Sequence, residues 1–237
     1  LNWMSRLKII GFPGTGLNHI DLEECERRGI KVISLFEERE FLSSIPSVAE
    51  LTIWMMLELL RRPHNGRWLG NQMKDKKLGI IGYGRIGKQV LEFASGFGMS
   101  VVWIDKEDWS YDVYNVEGIF RNPDILSLHA SLNKETESMI TELHLRIMKP
   151  TAFLINTARS QLIAPGAIEK AIREKWIAGY ATDVVRDDDE FQRLEQLQKE
   201  GFNVVLTRHI GGYTVEAREA TDEFIFNRVR EYVSSKP

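Results

Sequence analysis

Apolar residues along the chain fall into short continuous runs alternating with stretches at helical spacing, the pattern of a parallel sheet flanked by helices. Leu7-Lys8-Ile9-Ile10 reads as a short buried strand, and Gly11-Phe12-Pro13-Gly14-Thr15-Gly16 as the glycine-rich loop after it. Asp21 is placed to cap a helix with Glu23 and Glu24 in its first turn and Arg27 and Arg28 in its last, and Gly29 stops it. A strand follows at Lys31 to Ser34. Ser47 to Arg62 reads as a long helix that is apolar on nearly every side, which predicts burial on two faces or at a subunit contact. Pro63-His64-Asn65-Gly66 breaks that pattern. The main domain boundary is expected just before the helix, giving residues 1–45, 46–212 and a returning helix at 213–237.

Beyond the break, the run ending at Ile81 meets a glycine turn, and a helix follows with Ile86, Val90, Phe93 and Phe97 on one face. Further strands are expected at Val101–Ile104, Ile125–His129, Ala152–Asn156, Gly179–Asp183 and Asn203–Leu206. Helices are expected at Thr141–Met148, from Pro165 in a first turn through Arg173, and at Phe191–Lys199 after an acidic loop, Arg186 to Glu190. Thr214 caps a last helix reaching Tyr232. No internal repeat or low-complexity tract interrupts the alternation.

Composition narrows the classes. The chain has 237 residues, 43% hydrophobic and 27% charged, enough for a real core in one or two domains. Net charge is −3 with no long basic block, so nucleic acid is not an expected partner. The single cysteine, Cys25, cannot form an internal disulfide and reads as a half-buried helix residue; a reducing, cytoplasmic setting is expected. The most apolar run, Leu51 to Leu57, is flanked by Glu50 and Glu58 and is too short to span a membrane.

Chemistry gathers where the strands end. Gly82-Tyr83-Gly84-Arg85-Ile86-Gly87 is a G-x-G-x-x-G turn between strand and helix. Gly82 permits the tight turn, Gly84 lets a pyrophosphate approach the backbone, and Gly87 lets the helix lie close on the strand. The helix start adds N–H groups and a positive dipole end. Asp105 ends the next strand, eighteen positions after Gly87, where a carboxylate accepts both ribose hydroxyls of an adenosine and repels a 2′-phosphate. Asn156-Thr157-Ala158-Arg159, Asp183 and Thr207-Arg208-His209-Ile210-Gly211-Gly212 follow later strands. An arginine, a histidine and carboxylates along one sheet edge suggest hydride chemistry on an anionic substrate; the alternatives are an ion-paired arginine and a histidine capping the last strand. Of the other histidines, His129 stands at a strand end and reads as packing or cofactor-side, whereas His19, His64 and His144 read as surface or loop residues.

Six stretches occur together in a characteristic order: Gly14-Thr15-Gly16 with Ile20-Asp21, Ser47-Val48-Ala49-Glu50, the Gly82–Gly87 turn, Asn156-Thr157-Ala158-Arg159, Ala181-Thr182-Asp183-Val184, and His209-Ile210-Gly211-Gly212. In these the chain resembles the D-isomer-specific 2-hydroxyacid dehydrogenases, with phosphoglycerate, glycerate and D-lactate dehydrogenases nearest in pattern. The resemblance implies a Rossmann-type doubly wound α/β sheet with a partial flavodoxin-like substrate domain, and a homodimer built on the cofactor domain. It implies NAD lined by Gly82, Gly84, Arg85, Ile86, Gly87, Asp105, Thr157, Ala158, Asp183, Gly211 and Gly212. Arg159 would bind the substrate carboxylate together with backbone N–H groups of Thr15 and Gly16, and His209 would be the general acid/base. A small 2-hydroxy or 2-oxo acid, 3-phosphoglycerate-like among the candidates, is the implied substrate. NAD-binding corepressors of the same superfamily remain an alternative reading, and formate dehydrogenase a third. The chain departs from the family at several points. Asp188 stands where a Glu usually pairs with the histidine, with Glu190 as the other candidate; Ser160 replaces Gly; Arg208 and Ser131 replace Pro. Family members also carry about two more βα units before the Lys8 strand, so residues 1–45 supply only part of that domain.

Overall fold

The structure, a computed structural model, describes residues 6–17, 19–62, 69–105 and 113–235, with the backbone alone at 113–116. In chain order the elements are β1 (Ile9–Phe12), α1 (Leu22–Arg27), β2 (Lys31–Ser34), α2 (Arg39–Ser43), α3 (Ser47–Arg61), β3 (Lys77–Ile81), α4 (Arg85–Gly96), β4 (Ser100–Ile104) and α5 (Val113–Arg121). There follow β5 (Ile125–Leu128), α6 (Glu142–Ile147), β6 (Phe153–Asn156), a 3-10 turn at Ser160–Leu162, α7 (Ala167–Arg173), β7 (Gly179–Thr182), α8 (Asp188–Lys199), β8 (Val204–Leu206) and α9 (Val215–Ser234). They form two compact units, residues 1–47 with 212–237, and residues 48–211.

In the first unit β1 and β2 pair in parallel, Ile9 opposite Lys31 and Phe12 opposite Ser34. The connecting α1 begins where the Asp21 carboxylate accepts from Glu24 N at 2.9 Å. A Cβ on Gly11 would lie 2.9 Å from Ile225 Cγ2, so α9 packs directly on β1. Leu35, Leu42 and Ile225 form the small core, with Phe41 stacked on Phe224 at 4.2 Å. Cys25 is fully buried rather than half-buried.

The second unit is a six-stranded, all-parallel sheet in the order β4-β3-β5-β6-β7-β8. Strand periodicity divides its side chains between two cores. Leu78, Ile80, Ile125, Phe153, Ile155, Ala181 and Val205 meet α3 and α4 on one face. Ile81, Leu126, Leu128, Leu154, Tyr180 and Val204 meet α5 to α8 on the other. Much of the apolar wrap of α3 is explained by this face: Met55 and Met56 are 0% exposed and belong to this core, while Trp54 remains 45% exposed. No helix among the described residues is long and apolar enough to cross a membrane.

Most element ends shift by one or two residues from the expectation, and three of the differences have a readable local feature. The first strand runs to Phe12 instead of ending at Ile10. Pro165 stands ahead of α7, because Gly166, with φ +75°, is the residue that turns the chain into the helix. The acidic stretch is mostly helix: Asp187 Oδ1 accepts from Glu190 N at 2.8 Å, and Asp188, Asp189 and Glu190 make the first turn of α8. Carboxylates are favoured at a helix start by its unpaired N–H groups and dipole, which outweighs their mutual repulsion. The break expected at Pro63-His64-Asn65-Gly66 lies outside the described residues.

Candidate active site

The chain leaves β3 for β4 on one side and returns to β5 on the other, so the carboxyl end of β3 is the point where strand order reverses, the usual ligand crevice of such sheets. The glycine turn occupies it. Gly82 has φ +97°, and a Cβ there would sit 2.5 Å from Ala130 N and 2.6 Å from the His129 carbonyl carbon. On Gly87 a Cβ would sit 2.3 Å from Gly82 O, so α4 lies hard against the turn. Gly84 caps α4 and has nothing within 4 Å of the place a Cβ would take; no side chain caps the helix. Arg85 and Ile86 open α4 half-buried, and burial pushes the Arg85 guanidinium pKa down. Asp105 follows β4, also half-buried. An open, uncapped helix start beside a strand-end carboxylate suits a dinucleotide with a free adenosine 2′-hydroxyl.

Two aromatic residues at this edge were not anticipated. Tyr83 stacks on Trp103 of β4, with ring centroids 4.0 Å apart and 9° between planes, and Lys88 Nζ lies 5.4 Å from the Tyr83 centroid. His129, on the other side of the turn, bonds Ser127 Oγ through Nε2 at 2.8 Å, while its Nδ1 is buried without a partner. Burial pushes the His129 pKa down to about 3.

The remaining candidates sit after β6, β7 and β8, three neighbours in the sheet. Buried Asn156 shapes the first loop: its Oδ1 accepts from Ala158 N at 3.0 Å and its Nδ2 donates to Arg159 O at 2.9 Å. This side-chain turn directs Thr157 inward, where its Oγ1 meets Thr52 Oγ1 of α3 at 3.0 Å. Arg159 is half-buried and donates from Nη1 to Ala158 O at 2.7 Å. Asn156, quoted from the sequence as part of a strand-end motif but given no role, and Thr52, not singled out at all, are site-shaping residues. An Asn closing a strand before a turn is a readable signal; a threonine inside an apolar helix carries none.

Asp183 directly follows β7 and is 3% exposed. Its Oδ1 accepts from Thr207 Oγ1 at 2.6 Å and Ile210 N at 2.8 Å, and its Oδ2 accepts from Gly211 N at 2.8 Å. His209 N donates to Asp183 O at 2.9 Å. His209 itself is exposed and lies in the left-handed region with φ +55°. Arg208, the residue in place of the family's proline, stacks its guanidinium 4.0 Å from the Phe191 ring centroid on α8.

Not every candidate is brought together. Among the described residues no hydrogen bond or ion pair joins Asp188 to His209; Asp188 is exposed on the first turn of α8. Glu190 is engaged, accepting from Arg186 N. Thr15 and Gly16 lie in the other unit, in the loop after β1, and Gly212 is assigned to that unit as well. His144, expected on the surface, is half-buried: its Nδ1 accepts from Thr141 N at 3.1 Å at the start of α6. His64 lies outside the described residues.

Residues 52–211 match the family described as D-isomer specific 2-hydroxyacid dehydrogenase, NAD binding domain. The chain is 35% identical to the glyoxylate reductase of Thermococcus litoralis over 252 aligned residues, covering 93% of this chain and 72% of that protein. Among solved structures it is similar to a phosphoglycerate oxidoreductase from Vibrio cholerae, with TM-score 0.82, 26% identity, and coverage of 98% of this chain and 78% of that one. It is also similar to the D-lactate dehydrogenase of Aquifex aeolicus complexed with NAD and lactic acid, with TM-score 0.77, 29% identity, and coverage of 99% and 78%.

Proposed function

From the premise that the chain belongs to the D-isomer-specific 2-hydroxyacid dehydrogenase family and is an NAD-dependent enzyme of it, we propose that it interconverts a small 2-oxo acid and its D-2-hydroxy acid, with Arg159 and His209 as the reacting pair. Bound NAD supplies the hydride acceptor in one direction and the donor in the other. Gly82, Gly84, Arg85, Ile86 and Gly87 would hold its pyrophosphate, Asp105 its ribose, and Thr157, Ala158, Asp183, Gly211 and Gly212 its nicotinamide end. The Arg159 fork matches a carboxylate and its charge polarises the adjacent carbonyl. The exposed His209 imidazole takes the hydroxyl proton as the hydride leaves and returns it on reduction. Thr15 and Gly16 would add backbone donors for the carboxylate, and residues 1–45 with 213–237 would serve as part of the substrate domain.

The observation that carries this reading is the placement of Arg159 after β6 and His209 after β8, flanking β7 on the sheet edge that also holds the open start of α4. Asp188 is the acid assigned to orient His209. Engagement of Glu190 by Arg186 N favours Asp188 over Glu190 in that role. Relatives named as glyoxylate reductases favour a short 2-oxo acid over a phosphorylated one. The exposed Trp54 supports a homodimer, and a lone buried thiol suits a cytoplasmic setting.

The test is NADH oxidation against glyoxylate, pyruvate and hydroxypyruvate, with 3-phosphoglycerate oxidation as the contrasting arm. Turnover is expected with the short 2-oxo acids. His209→Ala should cut kcat by roughly 10²–10⁴-fold with NADH affinity intact. Arg159→Ala should raise KM and lower kcat together. NADH binding without turnover on any 2-oxo or 2-hydroxy acid would overturn the proposal in favour of a corepressor-like NAD-binding regulator.

A further inference from the structure

We propose that Asp183 is the positioning residue of the proton carrier: its buried carboxylate, held by Thr207 Oγ1, Ile210 N and Gly211 N, fixes the 207–211 loop and with it the direction in which the His209 ring points. The inference rests on the reading of His209 as the group that moves the proton.

The loop makes an unusual demand. A histidine with φ +55° has its Cβ crowded against the backbone, and it stays there only where the surroundings over-determine the conformation. One residue supplies that determination. Residue 183 receives the hydroxyl of 207 and the amides of 209, 210 and 211, through its backbone oxygen and both carboxylate oxygens. His209 stands in the middle of these anchors. Two amides in succession point at one carboxylate, which requires the chain to curl around it, and the left-handed residue 209 makes that curl. Gly211 fits the same constraint: a Cβ there would lie 3.0 Å from Asp183 Oδ2.

The charge argues for the same role. Asp183 is 3% exposed, and among the described residues no lysine or arginine pairs with it. A buried carboxylate of this kind is retained only where several donors converge on it, and here every side-chain bond it accepts comes from the loop carrying His209. Oδ1 takes two of the three and Oδ2 one, so contact with a cofactor amide through the remaining lone pair of Oδ2 is compatible with this function and separable from it.

The test uses the full chain. Thr207→Val keeps the shape of the side chain and removes the 2.6 Å donor; Asp183→Asn turns one carboxylate oxygen into a donor facing an N–H. Thr207→Val should lower kcat by about 3- to 10-fold with KM for the 2-oxo acid and the NADH Kd within about twofold of the parent, and Asp183→Asn by about 10²-fold, the penalty of misplacing a reacting group by roughly an ångström. Amide hydrogen exchange is the second readout: Ile210 and Gly211 should lose protection in both variants while amides of β3, β5 and β6 keep theirs. Parental kcat and parental protection at Ile210 and Gly211 in Thr207→Val would overturn the proposal, even if Asp183→Asn fails to fold. A raised NADH Kd in Asp183→Asn with unchanged protection at those two amides would also overturn it, assigning Asp183 to cofactor contact alone. If the parent turns over no 2-oxo acid, the dehydrogenase reading fails separately, and the exchange data still decide whether Asp183 holds the loop.

Discussion

Single side chains set two measurable behaviours. His129 is neutral in the folded protein because burial drives its pKa to about 3, whereas in the unfolded chain it titrates near 6.5. The folded state therefore binds fewer protons below pH 6.5, and stability is complete above that value and lost as the pH falls toward 3. The slope is about 1.4 kcal/mol per pH unit, so roughly 2 kcal/mol should disappear between pH 6.5 and 5. Urea unfolding of the parent and of His129→Gln at both pH values checks this; the variant should have a flatter acid limb. Asp105 governs cofactor choice. NADH should bind at least about tenfold tighter than NADPH, and Asp105→Ser should narrow that ratio by removing the repulsion of a 2′-phosphate. Equal affinities in the parent would free Asp105 from that role. Residues such as Arg159, Asp183 and His209 were legible because a parallel sheet places its chemistry at strand ends, and their residue types stood there. The bonds among them were not legible. Nothing in Thr207-Arg208-His209-Ile210-Gly211 announces that one carboxylate, more than twenty positions earlier, gathers the loop.

At the scale of elements, the strand–turn–helix around Gly82 separates what folding needs from what a ligand needs. A Cβ on Gly87 would strike the Gly82 carbonyl at 2.3 Å, backbone against backbone, whereas a Cβ on Gly84 would enter open space at φ −77°, a conformation alanine adopts readily. Gly87→Ala should cost about 1–3 kcal/mol of stability and shift α4 away from β3. Gly84→Ala should cost no more than about 1 kcal/mol, yet weaken NADH binding by tenfold or more, because the new methyl occupies the approach of the pyrophosphate. Thermal unfolding paired with NADH titration distinguishes the two variants; unchanged NADH affinity in Gly84→Ala would place the pyrophosphate elsewhere. Most of the elements were readable from periodicity, since apolar runs of four or five residues between helical stretches leave little else for a chain of this composition to do, but the helices at Arg39–Ser43 and Val113–Arg121 were not anticipated. Boundaries were harder. Asp187 to Glu190 look like a solvated loop by charge, and only the bond from Glu190 N to Asp187 Oδ1 makes them a helix start. Pro165 suits a helix entrance by its fixed φ, but the chain also needed a left-handed residue, and Gly166 supplies it one position later.

For the whole molecule, the question is what α3 implies about assembly. A helix apolar on nearly every side demanded either two internal partners or a second subunit, and sequence alone could not apportion its residues between them. The sheet takes most of the surface: Met55, Met56, Leu59 and Leu60 are buried against β3, β5, β6 and their neighbours. What remains outward is Trp54, 45% exposed, and beside its helix a groove of about 510 Å³ lined by Glu50, Ile53, Glu92, Phe93, Gly96 and Phe97. Phe97 is itself exposed at the end of α4. A tryptophan next to an apolar groove is the kind of anchor-and-pocket pair that dominates protein interfaces, and in a two-fold contact the same patch supplies both halves. Light scattering at micromolar concentration should therefore give twice the chain mass. Trp54→Glu would place a charge in the contact beside Glu50 and Glu92, and should weaken association by at least about 30-fold, the effect of losing roughly 2 kcal/mol at a central aromatic anchor. Its NADH affinity should hold, because Trp54 is on α3 and takes no part in the glycine turn. A parent that scatters as a monomer would remove the two-fold altogether; a dimer indifferent to Trp54→Glu would move it to another face and leave the exposed tryptophan to be explained by something other than self-association.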